Sequence, residues 1–231
     1  MRIVTWNCSR GPWQKKVPAL AHLLPDIAVI QECAKPVTES DTCLWFGDNA
    51  RQGIAVLARP PYRISRHQVE ADVPKFMFPV QVSGPLSFVM MVAWSKGGQA
   101  FPYVEGVVQG VRIYRSVFAS VSTVLIGDLN SNVIWDDEHP AESNHSALTS
   151  LLSELGLVSA YHCFHDEVQG QESRPTYFFH WKRDRGFHID YCFVPKAWGS
   201  HLQRVEVGTF EAWCHLSDHR PLLVEVATNV A

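Results

Sequence analysis

No stretch of this sequence approaches the roughly 20 apolar residues that a membrane span needs. Met1-Arg2-Ile3-Val4-Thr5-Trp6-Asn7 carries no apolar signal region and reads as an immediate strand. The six cysteines form no CxxC pair. Cys8, Cys33, Cys192 and Cys214 lie within or beside apolar runs, where a free thiol behaves as a small hydrophobe. A disulfide framework is therefore not expected, and a reducing, cytoplasmic setting is. Histidines such as His162, His165, His180, His188 and His215 show no HExxH or other tight ligand spacing, so a zinc site is not expected. Positive charge is not in excess: the net charge is -3. That argues against a broad basic surface for gripping long duplexes and leaves room for a local patch. Internal repeats, low-complexity tracts and interdomain linkers are missing too.

What is present is core-forming material. The 231 residues are 46% hydrophobic and 19% charged. This suits one domain over residues 1–231, with a monomer expected.

Residues 2–6 read as a strand that delivers Asn7 to its end. Residues 17–24 carry apolar positions at Val17, Leu20, Ala21 and Leu24, with Pro18 tolerable in a first turn and Pro25 as a stop, and predict a short helix. Residues 26–32 form a second buried strand ending in Glu32. Strand, helix, strand in so short a span favours parallel pairing of the two strands. Residues 33–50 read as loop and 53–58 as strand. Residues 62–82 are short alternating pieces broken by Pro74 and Pro79, 86–94 a central strand, and 95–102 a loop. Helical spacing over 104–118 leads into the strand at Val124, and 136–144 reads as an exposed loop. Leu148, Leu151, Leu152 and Leu155 at i, i+3, i+4, i+7, closed by Gly156, predict a helix. Strands are expected over 176–181, 189–194, 205–207 and 222–226. So many strands with few helices between them suggest two stacked sheets flanked by helices.

Several of these runs end in a residue able to bind a metal or a phosphate: Asn7, Glu32, Asp128 with Asn130, Asp190, and Asp218 with His219. Acids inside strands are unfavourable, whereas acids at strand ends can face a shared cleft. Glu32, supported by Asn7 and Asp218, offers the oxygen ligands that a hard divalent ion needs. His219 suits donation to a phosphoryl oxygen, with Asp190 as the carboxylate holding its ring. Asp128 suits orienting or deprotonating an attacking water, and Asn130 suits holding that water or a phosphate oxygen.

The ordered set Thr5-Trp6-Asn7, Gln31-Glu32, Gly127-Asp128-Leu129-Asn130, His188-Ile189-Asp190-Tyr191 and Ser217-Asp218-His219-Arg220-Pro221-Leu222 resembles the endonuclease/exonuclease/phosphatase superfamily, from residue 3 to residue 226. That group includes exonuclease III-type abasic-site nucleases, DNase I and inositol polyphosphate phosphatases. The resemblance implies an α/β fold of the DNase I-like kind: a four-layer α/β/β/α sandwich of two packed mixed β-sheets flanked by helices. It also implies Mg²⁺- or Mn²⁺-dependent phosphoester cleavage. Carried over by position, Glu32 is the main metal ligand, helped by Asn7 and Asp218. Asp128, Asn130, His219 and Asp190 form the catalytic set. The segment 176–181 resembles the element preceding the Ile-Asp-Tyr strand in the nuclease branches, so Thr176 is expected at a phosphate and Trp181 at a base or sugar. Trp94 is expected beside Trp181 along the substrate groove. Two departures stand out. The strand ending Val92-Ala93-Trp94-Ser95 lacks the phosphate-binding His or Tyr frequent there, and His188 replaces a frequent Arg.

The expected activity is a Mg²⁺-dependent phosphodiesterase, a nuclease acting on DNA rather than RNA. The alternative is a phosphoesterase acting on a small nucleotide, phospholipid or inositol phosphate, favoured by short loops and acidic charge. A non-catalytic binding module on the same fold is the remaining reading. Lys182-Arg183-Asp184-Arg185 beside Trp181 is either solvated charge or a nucleic-acid contact.

Overall fold

The computed structural model describes residues 1–67, 77–97 and 101–229. Its strands are β1 (Arg2–Asn7), β2 (Ile27–Cys33), β3 (Cys43–Asn49), β4 (Gln52–Ala58), β5 (Arg63–Arg66), β6 (Met77–Ser83), β7 (Phe88–Trp94), β8 (Thr123–Asp128), β9 (Leu157–Ser159), β10 (Tyr177–Phe178), β11 (Gly186–Phe187), β12 (Asp190–Pro195), β13 (Leu202–Val207) and β14 (Leu222–Val226). The helices are α1 (Trp13–Lys16), α2 (Val104–Ile113), α3 (Arg115–Ser120), α4 (His145–Glu154), α5 (Ala160–His165) and α6 (Phe210–Trp213).

Two six-stranded mixed sheets result, in the orders β13-β14-β1-β2-β4-β3 and β5-β6-β7-β8-β12-β9. As expected, β1 and β2 pair in parallel. Side chains alternate across each strand. Ile3, Ile27, Val29, Met90, Val92, Val124, Ile126 and Cys192 fill the core between the sheets. Met91, Leu125, Tyr191 and Phe193 face outward under α2, α3 and α4. Val4, Trp6, Ala28 and Ile30 face outward on the other sheet, covered by residues 13–23 and Trp213. Among the described residues, no helix is long and apolar enough to cross a membrane.

Several local expectations need correction. Residues 17–24 form a 3₁₀ helix, Val17–Leu23, ended by Leu24 in the left-handed region. The span 33–50 is not all loop: Leu44, Trp45 and Phe46 are buried in β3, paired with β4. Pro79 does not break β6. The β5 ladder stops at Arg66↔Val80, so the missing N–H of Pro79 costs no strand–strand bond on that side. Pro74 lies outside the described residues, as do 98–100 of the expected 95–102 loop. The helix over 104–118 is interrupted at Tyr114. Residues 136–144 are not simply exposed: Val133–Glu138 is 3₁₀, and Asn144 caps α4 by accepting from the Ala147 N–H at 2.9 Å. The strand over 176–181 lasts only two residues, because His180 and Trp181 turn left-handed. Helices α5 and α6 and strand β9 had no counterpart in the sequence pattern.

Candidate active site

Alternation decides which side chains reach the rim between the sheets. Asp128 is in phase with Val124 and Ile126, Asn7 with Ile3, and Asp190 with Cys192 and Val194, so each polar side chain continues an inward-facing row at a strand end. Gly127 makes this possible. Its φ is +146°, and a Cβ there would lie 1.8 Å from the Ala93 carbonyl oxygen of the neighbouring strand. Only glycine fits. Glu32 sits where the β2–β4 register shifts, with a left-handed φ of 55°. Asn130 is left-handed as well, a conformation asparagine tolerates better than most residues.

The side chains interlock. Asn7 Nδ2 donates to Asp128 Oδ2 at 2.8 Å and to Glu32 Oε1 at 3.3 Å. Glu32 Oε2 accepts from Gln52 Nε2 at 3.1 Å and lies 3.3 Å from Arg10 Nε. Asn130 donates to Asp128 through its backbone N–H at 2.9 Å and its Nδ2 at 3.1 Å, and Nδ2 also reaches the Ser95 carbonyl at 2.8 Å. Asp190 Oδ2 holds His219 Nδ1 at 2.8 Å, leaving His219 Nε2 4.0 Å from Asp128 Oδ2. Ser217 Oγ donates to the Asn7 carbonyl at 2.7 Å and accepts from the His219 N–H at 2.9 Å, tying the histidine loop to β1. Arg220 is fully buried. Its guanidinium lies 4.7 Å from the Phe178 ring and 4.8 Å from that of Phe210, and it donates to the Ser217 and His219 carbonyls.

Burial sets the electrostatics. It pushes Asp128 up to about 7, against the pull of the His219 charge and of donation from Asn7 and Asn130. Burial opposes charge on His219, but the Asp190 and Asp128 carboxylates outweigh it and raise the imidazole to about 9. Asp190 Oδ1 is buried with no hydrogen-bond partner among the described residues. Ligand atoms of Asp128, Asp190 and His219 lie within 4.8 Å of one another.

The remaining expected site residues are placed differently from one another. Asp218 adjoins His219, and its Oδ1 accepts from Ser217 Oγ at 3.5 Å. Thr176 is fully buried, and its hydroxyl accepts from the Ile189 and Asp190 N–H groups, each at 3.0 Å. It therefore positions Asp190, and this corrects the expected phosphate contact. Trp94 is 3% exposed in the core between the sheets, which corrects its expected place in a substrate groove; its register partner is Asp128. Trp181 is 49% exposed. Sequence reasoning passed over Tyr177. Its ring centroid is 4.7 Å from that of His219. Burial, then the nearby charges of Asp218, Asp128 and Glu32, hold its phenol up at about 12, so it is a protonated donor at neutral pH. The available signal was its place inside the quoted segment 176–181, together with the missing His or Tyr after β7.

Two helix-flanked mixed sheets carrying carboxylates, amides and a carboxylate-held histidine at one rim define a phosphoesterase of the nuclease and phosphatase kind. The chain belongs to the endonuclease/exonuclease/phosphatase family, which it matches over residues 4–219, and is accordingly a hydrolase of phosphoester bonds. No curated protein matches it in sequence. Among solved structures it is similar to the 3′ phosphatase NExo from Neisseria bound to product DNA hairpin (TM-score 0.67, 21% identity, 98% of this chain and 99% of that one). It is also similar to the AP endonuclease LMAP from Leishmania major (TM-score 0.71, 14% identity, 96% and 86%). A third similar structure is the endonuclease domain of TRAS1, a telomere-specific non-LTR retrotransposon (TM-score 0.68, 15% identity, 98% of each chain). At these identities the likeness is one of fold.

Proposed function

We propose that this protein is a divalent-metal-dependent nuclease that hydrolyses DNA phosphodiester bonds. The observation that carries the reading is the meeting of Asn7, Glu32, Asp128, Asn130, Asp190 and His219 at one rim, although they lie far apart in the chain.

The donor set fits a hard cation: the carboxylates of Glu32 and Asp218 are only half-buried at the rim, and Asn7, whose amide oxygen accepts from the Ser9 N–H at 2.9 Å, braces Glu32 through Nδ2. Glu32 and Asp218, with Asn7 bracing the Glu32 carboxylate, would hold Mg²⁺ or Mn²⁺, which when bound supplies Lewis-acid polarisation of a phosphoryl oxygen. Asp128 orients the attacking water and accepts its proton, a task suited to a carboxyl raised towards neutrality. Asn130 fixes the Asp128 carboxylate. His219, with Asp190 on Nδ1, presents Nε2–H to the developing negative charge on the phosphoryl group. The Tyr177 hydroxyl donates to the same group, filling the place left by Trp94 and Ser95 after β7.

The test is a panel of abasic duplex, single-stranded DNA, RNA and small phosphate esters with Mg²⁺. DNA cleavage abolished by EDTA is expected, with turnover falling at least ~10²-fold in Asp128→Ala and His219→Ala. Turnover of small esters alone, or full activity in both variants, would overturn the reading.

A further inference from the structure

A cleft of about 610 Å³ opens beside Asn130 and holds none of the other proposed catalytic residues. Its walls are Pro102, Tyr103, Trp135, Phe179 and His139, with Glu105 and Glu138 also on its lining. Three different parts of the chain bring these aromatic rings together: the residue before α2, the 3₁₀ turn after β8, and the turn after β10. The rings are not packed away. Tyr103 is 43% and Phe179 39% exposed. Trp135 is braced from behind by the Phe187 ring, with centroids 5.1 Å apart, and Tyr103 meets His139 edge-on at 6.5 Å. His139 Nδ1 in turn lies 3.1 Å from Glu105 Oε1.

The geometry points to a binding subsite for one unpaired nucleobase of the strand being cut, next to the phosphate held by His219. The inference rests on the nuclease reading above. Continuity with the phosphate site comes from two residues. Asn130 borders both, and Phe179 packs on Tyr177, whose ring lies against His219. Charge selects the occupant. Two carboxylates repel a phosphate but accept from the amino and imino N–H groups on a base edge, as Glu and Asp do from cytosine N4. The aromatic walls offer faces on which a base can stack. A base enters such a cleft only out of the duplex stack, so a single strand or a frayed end is the substrate. Bases with an exocyclic amino group are favoured over thymine.

The test uses the full chain with Mg²⁺. It compares kcat/KM for the 5′ and 3′ p-nitrophenyl phosphodiesters of deoxycytidine and thymidine with that for methyl p-nitrophenyl phosphate, which has no base. At least one deoxycytidine ester should be preferred over the methyl ester by about tenfold or more, the scale of one stacked base. Phe179→Ala and Trp135→Phe should shrink that ratio, and Glu105→Gln should shrink the preference for cytosine over thymine. Metal-dependent turnover of the methyl ester or of DNA, with no base preference in the wild type or with the preference intact in the variants, overturns the subsite and leaves the nuclease standing. No turnover of any ester or DNA overturns both. If the esters react too slowly to compare, dCMP and deoxyribose 5-phosphate serve as competitive inhibitors of DNA cleavage; equal inhibition constants overturn the subsite.

Discussion

Asp190 stands directly opposite Asp128 across the β8–β12 ladder, and the His219 imidazole lies 2.8 Å from the one carboxylate and 4.0 Å from the other. Like charges opposed on neighbouring strands are destabilising. Here both are also buried, so the pair persists by sharing a cation, the imidazolium. The same arrangement leaves Nε2 turned toward Asp128, 4.0 Å away. Asp190→Asn should therefore lower kcat by at least ~10²-fold, through loss of ring orientation and of the stabilised positive charge. Steady-state cleavage of DNA checks this, and a kcat within threefold of wild type would contradict the role.

Tyr177→Phe removes one hydroxyl and keeps the ring against His219. If the phenol donates to the phosphoryl group, kcat should fall about 10- to 100-fold, the value of one hydrogen bond to a charged acceptor. The melting temperature should stay unchanged. A loss of stability with full turnover would mark Tyr177 as a packing residue only.

Glu32→Gln keeps the shape of the proposed metal ligand and removes its charge. The Mg²⁺ concentration for half-maximal activity should rise at least about tenfold, since even partners that only touch a ligand cost that much in metal affinity. Titrating metal into EDTA-treated protein measures it. An unchanged metal requirement would move the ion to other ligands.

Gly127→Ala places a methyl carbon against the Ala93 carbonyl at a backbone angle that only glycine adopts readily. Neither strand can yield without disturbing the β7–β8 ladder. The cost should reach about 3 kcal/mol, a fall in melting temperature of roughly 6–12 °C for a chain of this size. Thermal unfolding decides it.

His145 is buried beneath the site loop, between Ser131 and Gln169, and burial lowers it from its ordinary 6.5 to about 4. Its folded form stays neutral while the unfolded chain takes up a proton, so its contribution is present above pH 6.5 and is lost as the pH falls toward 4. The loss should be of the order of 3 kcal/mol. Urea unfolding at pH 7, 5.5 and 4.5 should show stability falling with acid, less steeply in His145→Gln. Parallel curves for the two proteins would refute it.

The residues proposed as catalytic stood out as polar closures of apolar runs because that pattern is local. Val124-Leu125-Ile126-Gly127-Asp128 states in five letters a buried strand, a glycine that breaks it, and an acid at its end; that the glycine is required follows only from the Ala93 carbonyl on the neighbouring strand. Thr176, Trp94 and Tyr177 were not legible, because the roles of these three depend on partners far along the chain. The Thr176 hydroxyl is taken by the N–H groups of residues 189 and 190, Trp94 turns into the core between the sheets, and Tyr177 reaches His219 only through an isolated bridge.

By itself, the sequence determined the strands that form the cores of the two sheets and the polar residue that closes each, since alternation and strand ends are properties of neighbouring residues. Tertiary structure alone decided which of those ends share a rim, how Asn132 bonds Glu172 at 3.1 Å beneath it, and that Tyr103, Trp135 and Phe179 enclose a cleft beside it. The physical reason is that burial, shared protons and ring stacking act through space, between residues separated by tens of positions.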